Sequence, residues 1–320
     1  MKRLTAIEKF KEGTSIQGFY LCVEKHLRHT RSGDLYLDLE LRDKTGRISA
    51  KIWDKVSDLN NLFEPGDAVA VSGDVESFMD RPQLIVRKIR RATVQNYGRY
   101  GFDPAKVVPS SRLDPKKMWQ EVEGVIGRMR NKYLKKLVGL IYKKNKKKLL
   151  VHPASVKMHH NFRSGYLEHI LTMVRIARKI APLYRVDTDL LLAGVLLHDI
   201  GKLEEIDSEY EADYTAAGHL IGHIVIGRDM VRDTINKIRG FPEDLGQKVE
   251  HIILAHQGRY EWQSPKNPAF REALLVHLID HMDAKMNLMD IAYSEDQEQG
   301  LFTNRHNYFR IPLLKDNEPE

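Results

Sequence analysis

The most constraining feature of the chain is an unbroken apolar run, Leu190-Leu191-Leu192-Ala193-Gly194-Val195-Leu196-Leu197, that ends directly on His198-Asp199. No hydrophilic face interrupts it, so a helix here must be buried on all sides. Carrying an ionised aspartate into the interior beside an imidazole is costly unless another charge compensates. A divalent cation compensates both groups, and mixed imidazole and carboxylate donors suit Mn, Fe, Mg-assisted or Zn sites. The dipeptide His-Asp is common by chance, so its surroundings must carry the argument.

Histidine is unevenly spread: eleven of the fourteen lie between His152 and His281. Gly165-Tyr166-Leu167-Glu168-His169 opens an amphipathic helix whose stripe is Leu167, Ile170, Val174 and Ala177, with His169 beside it. Gly218-His219-Leu220-Ile221-Gly222-His223 places two histidines four apart, on one helical face. Ile252-Ile253-Leu254-Ala255-His256 is a second apolar run ending in histidine. Leu278-Ile279-Asp280-His281-Met282-Asp283 sets two carboxylates three apart in a helical pattern, where aspartate needs a reason. Any one of these histidines also fits a satisfied core or boundary residue. The set, spread over more than a hundred residues, is hard to read that way.

The N-terminal part follows a different period. Ile16–Val23, Leu35–Leu41, Ile48–Trp53, Ala68–Gly73 and Gln83–Ile89 read as five short strands, with turns at Asp43-Lys44-Thr45-Gly46 and Pro65-Gly66-Asp67. Five strands with a central hairpin suit a small closed barrel. Gly98, Gly101, Pro104, Pro109 and Pro115 punctuate a linker over 98–115. Beyond it, Trp119, Val122, Val125, Ile126 and Met129 recur at helical steps. The predicted class is multidomain α+β: residues 1–97 a barrel, 116–292 an all-helical domain with basic lead-in helices over 116–150, and 293–320 a polar, loosely held tail.

Composition limits the function classes. No apolar run approaches the roughly 20 residues needed to span a membrane. The single cysteine, Cys22, excludes an internal disulfide framework and fits a cytoplasmic setting. The formal charge of +7 is concentrated: thirteen Lys or Arg against three acids between Arg112 and Lys148. That stretch reads either as a solvated helix face or as a phosphate-contacting surface.

The motifs then resemble a known superfamily. The order His169, His198-Asp199, His223, His256, Asp280 is the ligand order of the HD phosphohydrolases, with His198-Asp199-Ile200-Gly201-Lys202 at its centre. The resemblance implies two divalent metals. His169, His198, Asp199 and Asp280 would hold the first, and Asp199 would bridge to a second completed by His223 and His256. Asp283 and His219 stand as alternatives to Asp280 and His223. Lys202 would act with Asp199 in catalysis and hold a substrate phosphate. His251, His277 and His281 read as supporting or surface residues.

The N-terminal strands resemble an OB-fold on their order and on Leu39-Glu40-Leu41-Arg42-Asp43-Lys44-Thr45-Gly46-Arg47-Ile48. OB-folds commonly bind single-stranded nucleic acid with basic and aromatic side chains, for which Tyr36, Arg47, Lys51, Trp53 and Phe78 are candidates. Each aromatic also fits ordinary packing. A barrel joined to an HD domain at this length resembles the bacterial YhaM-type 3′→5′ exoribonucleases. The specific segments are His159-His160-Asn161-Phe162-Arg163-Ser164-Gly165, Ile279-Asp280-His281-Met282-Asp283-Ala284-Lys285-Met286-Asn287, and His256-Gln257-Gly258 with Glu261 and Ser264-Pro265. Such relatives have a glycine-rich turn at Ser164-Gly165, Tyr-Gly at Trp262-Gln263, and often paired histidines at His256-Gln257. The resemblance implies manganese as the favoured metal, with Fe, Mg, Co or Ni as alternatives. It implies release of nucleoside 5′-monophosphates from the 3′ end of single-stranded RNA, with single-stranded DNA and homo-oligomerisation left open. His159, His160 and Arg163 would contact the terminal nucleotide, and Trp53 and Arg47 the strand. Two other readings compete. One is an HD hydrolase of small nucleotides or cyclic dinucleotides with a regulatory barrel. The other is a non-catalytic RNA-binding adaptor, against which the complete ligand set argues.

Overall fold

The computed structural model describes residues 4–79, 81–207, 210 and 212–315. They form two compact units. The first runs to Ser110 and includes Tyr210, and the second starts at Ser111.

In the first unit, β1 (Ser15–His29), β2 (Leu35–Arg42), β3 (Arg47–Ile52), β4 (Ala68–Phe78) and β5 (Arg81–Arg91) close into a barrel in the order β1-β2-β3-β5-β4. All pairings are antiparallel except β3 with β5. The alternation predicted from sequence is what closes it. In β2, Leu37, Leu39 and Leu41 are buried while Tyr36, Asp38 and Glu40 face outward. A short helix, α1 (Val56–Asn60), joins β3 to β4 and buries Val56 against the barrel interior. The strands run longer than the sequence patterns suggest. β1 continues past a bulge at Cys22/Glu24 to pair His29 with Leu35, and β4 and β5 stay paired out to Phe78 and Arg81. A bulge bends the strand without ending its pairing, so the break in alternation is not a break in the strand.

The expected linker, 98–115, is packed structure over most of its length. After α2 (Val94–Tyr97), Phe102, Val107 and Val108 are buried with Leu21, Ala68 and Ala92 in a small cluster on this unit. The prolines and glycines mark tight turns there, and the apolar side chains between them supply the packing.

The second unit is helical: α3 (Pro115–Arg128), α4 (Lys132–Leu149), α5 (Gly165–Ile180), α6 (Thr188–Leu197), α7 (Lys202–Glu205), α8 (Ala216–Leu220), α9 (His223–Ile235), α10 (Glu243–Ala255) and α11 (Arg271–Glu295). A two-stranded β6–β7 ribbon (Ile206–Asp207, Asp213–Tyr214) lies between α7 and α8. Starts are fixed by side-chain caps: Asp114 before Pro115, Asn131 on α4 and Asp187 on α6. As predicted from its all-apolar pattern, α6 is buried from Leu190 to Leu197 and packs among α4, α5, α10 and α11. Part of the basic lead-in is already engaged: Lys146 lies over the Trp119 ring, and Lys148 pairs with Glu204. The tail is also more ordered than expected. Residues 296–315 fold back as a hairpin-like segment, with a Phe302–Leu314 bridge and Thr303 and Leu313 buried.

Candidate metal centre

Two histidines reach the centre by the same local device. His198 and His256 each follow an apolar helix, α6 and α10, and each turns its Nδ1 back onto that helix. His198 donates to Val195 O (2.9 Å) and His256 to Ile253 O (2.8 Å). The other two are oriented from a distance. His169, on α5, donates from Nδ1 to Asp283 Oδ2 of α11 (2.6 Å). His223, the first residue of α9, donates from Nδ1 to Glu205 Oε1 (2.9 Å), and the same oxygen accepts its backbone N–H (2.9 Å). In all four rings the Nδ1 proton is committed, which leaves Nε2 as a lone-pair donor.

Those Nε2 atoms converge on two carboxylates. His198 Nε2 lies 3.4 Å from Asp199 Oδ2; His223 and His256 Nε2 lie 3.5 and 3.4 Å from Asp199 Oδ1. Asp280 Oδ1 is 3.3 Å from His169 Nε2 and 3.8 Å from His198 Nε2. Asp199 is therefore shared by two donor groups, His169-His198-Asp199 and Asp199-His223-His256, each with ligand atoms within 4.8 Å of one another. Close approach makes this possible. A Cβ on Gly201 would sit 2.0 Å from His223 O, so only glycine lets α9 begin where His223 faces Asp199.

The charges are unbalanced in a way that calls for a cation. His169, His198 and Asp199 are buried, and the Nε2 atoms of His169, His198 and His223 and Oδ1 of Asp199 have no hydrogen-bond partner. Buried polar atoms are rarely left so. Burial opposes charge on Asp199, yet Lys202 and His198 hold its carboxyl well below the usual range. Burial likewise lowers the His169 pKa, but without an ion Asp280 and Asp283 outweigh it and bring it to about 9, drawing onto the ring the positive charge that a cation at Nε2 would otherwise supply. Four orphaned donor atoms facing one another inside a protein, three imidazole nitrogens and one carboxylate oxygen, match what divalent ions coordinate.

Lys202 adds a fixed positive charge: its Nζ is 2.6 Å from Asp199 Oδ2, and though burial disfavours the ammonium, Asp199 raises its pKa overall. It lines, with Asp199, His256 and Asp280, a cleft of about 220 Å³. His159 lines the same cleft, its Nε2 unpartnered and its pKa pushed down by burial to about 3. His160 does not line it; buried, it faces Asp283 at 3.8 Å, and Asn287 holds its backbone N–H. Arg163 is half-buried and outside the cleft lining.

Of the two alternatives, His219 is exposed against Tyr214, and Asp283 orients His169 while Asp280 faces the Nε2 atoms. His277 and His281 line the cleft, with Trp262 stacked on His281 at 5.1 Å. Gln257 donates from its amide to His256 Nε2 (3.1 Å). Sequence reasoning missed Glu205 and the cleft residues Met158 and Tyr308. The signal for Glu205 was present, an acidic residue three beyond Lys202, but its partner lies eighteen residues on.

On the barrel, Trp53 stacks on Tyr36 at 4.8 Å with rings 26° apart, and Lys51 Nζ lies 5.2 Å from the Tyr36 centroid. Trp53 is exposed. Arg47 is paired with Glu40 (2.6 Å) and Lys51 with Asp38 (2.5 Å).

Comparison with known proteins agrees with both halves. Residues 22–92 match the OB-fold nucleic acid binding domain model, and residues 166–285 match the HD domain model. A 3′-5′ exoribonuclease YhaM from Halalkalibacterium halodurans is 34% identical over 92% of this chain and 91% of its own. The chain belongs to the YhaM exoribonuclease family. A Listeria monocytogenes member of the same name is 36% identical over 88% of both chains. Among solved structures, the second OB-fold domain of replication protein A from Methanococcus maripaludis is 21% identical over 28% of this chain and 94% of its own, with a TM-score of 0.24. So low a score leaves the barrel resting on its own strand order.

Proposed function

We propose that the chain is a metal-dependent 3′→5′ exoribonuclease that hydrolyses single-stranded RNA to nucleoside 5′-monophosphates. The observation that carries the chemistry is the convergence of orphaned Nε2 atoms on a shared Asp199. The substrate comes from the family, whose named members align over nearly the whole chain. His169, His198, Asp199 and Asp280 would hold one ion, and Asp199, His223 and His256 a second, with manganese favoured and Fe, Mg, Co or Ni as substitutes. Bound there, the ions would supply Lewis acidity to the phosphoryl group and a ready nucleophile at neutral pH.

The residues themselves do the rest. Asp283 and Glu205 fix the tautomer and direction of His169 and His223. Lys202 carries a buried positive charge in the cleft lining, placed to meet a phosphoryl oxygen. His159, kept neutral by burial, presents Nε2 to the cleft as a contact for the terminal nucleotide. His160, off the cleft lining and held through its backbone N–H by Asn287, supports that loop, and Arg163 follows it in the same loop as a further candidate contact. On the barrel, the Tyr36–Trp53 stack offers a face for bases, and Arg47 and Lys51 contribute charge for phosphates. Single-stranded DNA fits the same surfaces. The chain's single cysteine, Cys22, is buried in the barrel, which suits a cytoplasmic enzyme.

The test is a 3′-recessed and a single-stranded labelled RNA incubated with chelated protein and with individual metals added back. Stepwise shortening from the 3′ end with manganese, releasing mononucleotides, is expected. Turnover of free or cyclic nucleotides with RNA left intact would reject the reading.

A further inference from the structure

Beyond the metal cluster, the cleft is walled by a residue from the far end of the chain. Its floor follows α11, where His277, Asp280, His281, Ala284, Lys285 and Leu288 all contribute. From Asp280 to Leu288 the helix rises about 12 Å, at about 1.5 Å per residue, enough to extend well past one phosphate. Tyr308 lines the cleft beside that stretch. Its hydroxyl accepts from Lys285 Nζ (2.6 Å), and the same ammonium lies 3.9 Å from the ring centroid.

The segment that delivers Tyr308 is built, not merely draped. Asp296 accepts from the backbone and side-chain N–H groups of Asn304 (2.9 and 3.0 Å) and pairs with Lys315. Thr303 N–H donates to Leu313 O (2.9 Å), and the Asn307 amide donates to Asn304 O and Ile311 O (both 2.8 Å). Such a network holds a ring in place at the edge of a cleft. Yet Tyr308 remains 48% exposed, and Lys285 has no carboxylate partner among the described residues. A fixed aromatic ring beside an ammonium that no carboxylate neutralises is a recognition pattern for a nucleotide: the ring stacks on a base, and the cation meets a phosphate. This hairpin lies outside residues 166–285, the span matched by the HD domain model.

We propose that Tyr308 and Lys285 form a nucleotide-binding wall of the catalytic cleft, packing against the nucleotide next to the scissile phosphate. The inference rests on the exoribonuclease reading and deepens it: the folded tail becomes part of the substrate site.

The experiment compares wild type, Tyr308→Ala, Tyr308→Phe, Lys285→Met and, as a control, the exposed Tyr184→Ala, all in manganese. KM and kcat are measured on a short RNA oligomer and on bis(4-nitrophenyl) phosphate, which lacks a base and ribose. Tyr308→Ala and Lys285→Met should raise KM for RNA about tenfold, the loss of one stacked or charge-paired contact, while kcat changes little. Their loss on the small phosphodiester should be far smaller. Tyr308→Phe should recover most of the RNA affinity, and Tyr184→Ala should match wild type. Equal losses on both substrates, an unchanged KM in Tyr308→Ala, or a Tyr308→Phe as poor as Tyr308→Ala would overturn the proposal. If wild type leaves RNA intact, the exoribonuclease reading fails by itself. Calorimetric titration with adenosine 5′-monophosphate then decides the wall: about tenfold weaker binding in Tyr308→Ala upholds it, and unchanged binding overturns it.

Discussion

The catalytic cluster and the outer face of the barrel both present charged and aromatic groups, yet they differ in how many constraints hold each side chain. In the cluster every imidazole is fixed at Nδ1 by a carbonyl or a carboxylate and buried on most sides. On the barrel face, Trp53 is held by one ring stack, and Arg47 by one exposed ion pair. A buried polar group is placed by the cost of leaving it unpaired, whereas an exposed one can always turn to water. Substitutions in the cluster should therefore be severe and specific to metal, and those on the barrel graded and specific to long substrates.

The sharpest form of the comparison is Asp199→Asn. Both donor groups share this carboxylate. Its loss should lower turnover roughly a thousand-fold or more, because several kcal/mol of charge stabilisation go with it at about 1.4 kcal/mol per tenfold. Metal content by mass spectrometry should fall in parallel. Retained metal with retained activity would show that Asp199 is not shared between the two groups.

Next in size are the two carboxylates behind the histidines. Asp283→Asn and Glu205→Gln keep shape but lose the charge-assisted bond to His169 or His223. Each should weaken metal affinity about 10- to 100-fold, as changes behind a ligand usually do. Excess manganese should restore much of the activity. Failure of added metal to rescue either variant would mean that these groups support folding rather than the ligands. No corresponding substitution exists for His198 and His256, whose anchors are backbone carbonyls.

That contrast also explains what could be read from the sequence. His198 and His256 are oriented by carbonyls three residues earlier, so an apolar run ending in histidine carried both the residue and its setting. The barrel was legible for a similar reason, since Leu37, Leu39 and Leu41 alternate within one strand. Asp283 looked like a rival ligand because its true partner, His169, lies 114 residues away, and spacing within α11 cannot distinguish the two carboxylates. The folded tail was hidden too. Its order comes from scattered polar side chains such as Asp296, Asn304 and Asn307, which give no periodic pattern. Ser164 and Gln263 both occupy left-handed backbone (φ +66° and +65°), where a glycine would be unstrained. Ser164 offsets part of that strain with a hydroxyl bond to Leu150 O (2.8 Å).

On the barrel, Trp53→Ala removes the exposed half of the stack. Processing of a long RNA should slow about tenfold, in line with the loss of one stacked base, while a dinucleotide should be cut as before. Equal slowing on both would deny the barrel a part in holding the strand.

Arg47 should give the smallest effect. Its guanidinium is already paired with Glu40 at 2.6 Å on an exposed surface, a pairing worth about 0–1 kcal/mol. A phosphate must compete with that carboxylate, so Arg47→Ala should weaken RNA binding by less than about threefold, and the deficit should vanish at high salt. Glu40→Gln releases the same guanidinium and should tighten binding instead. Opposite signs from two neighbouring residues would place the barrel face among surfaces tuned by competition with solvent and local charge. If Arg47→Ala cost as much as Trp53→Ala, the barrel would share the cluster's fixed, high-stakes geometry, and the contrast between the two regions would fail.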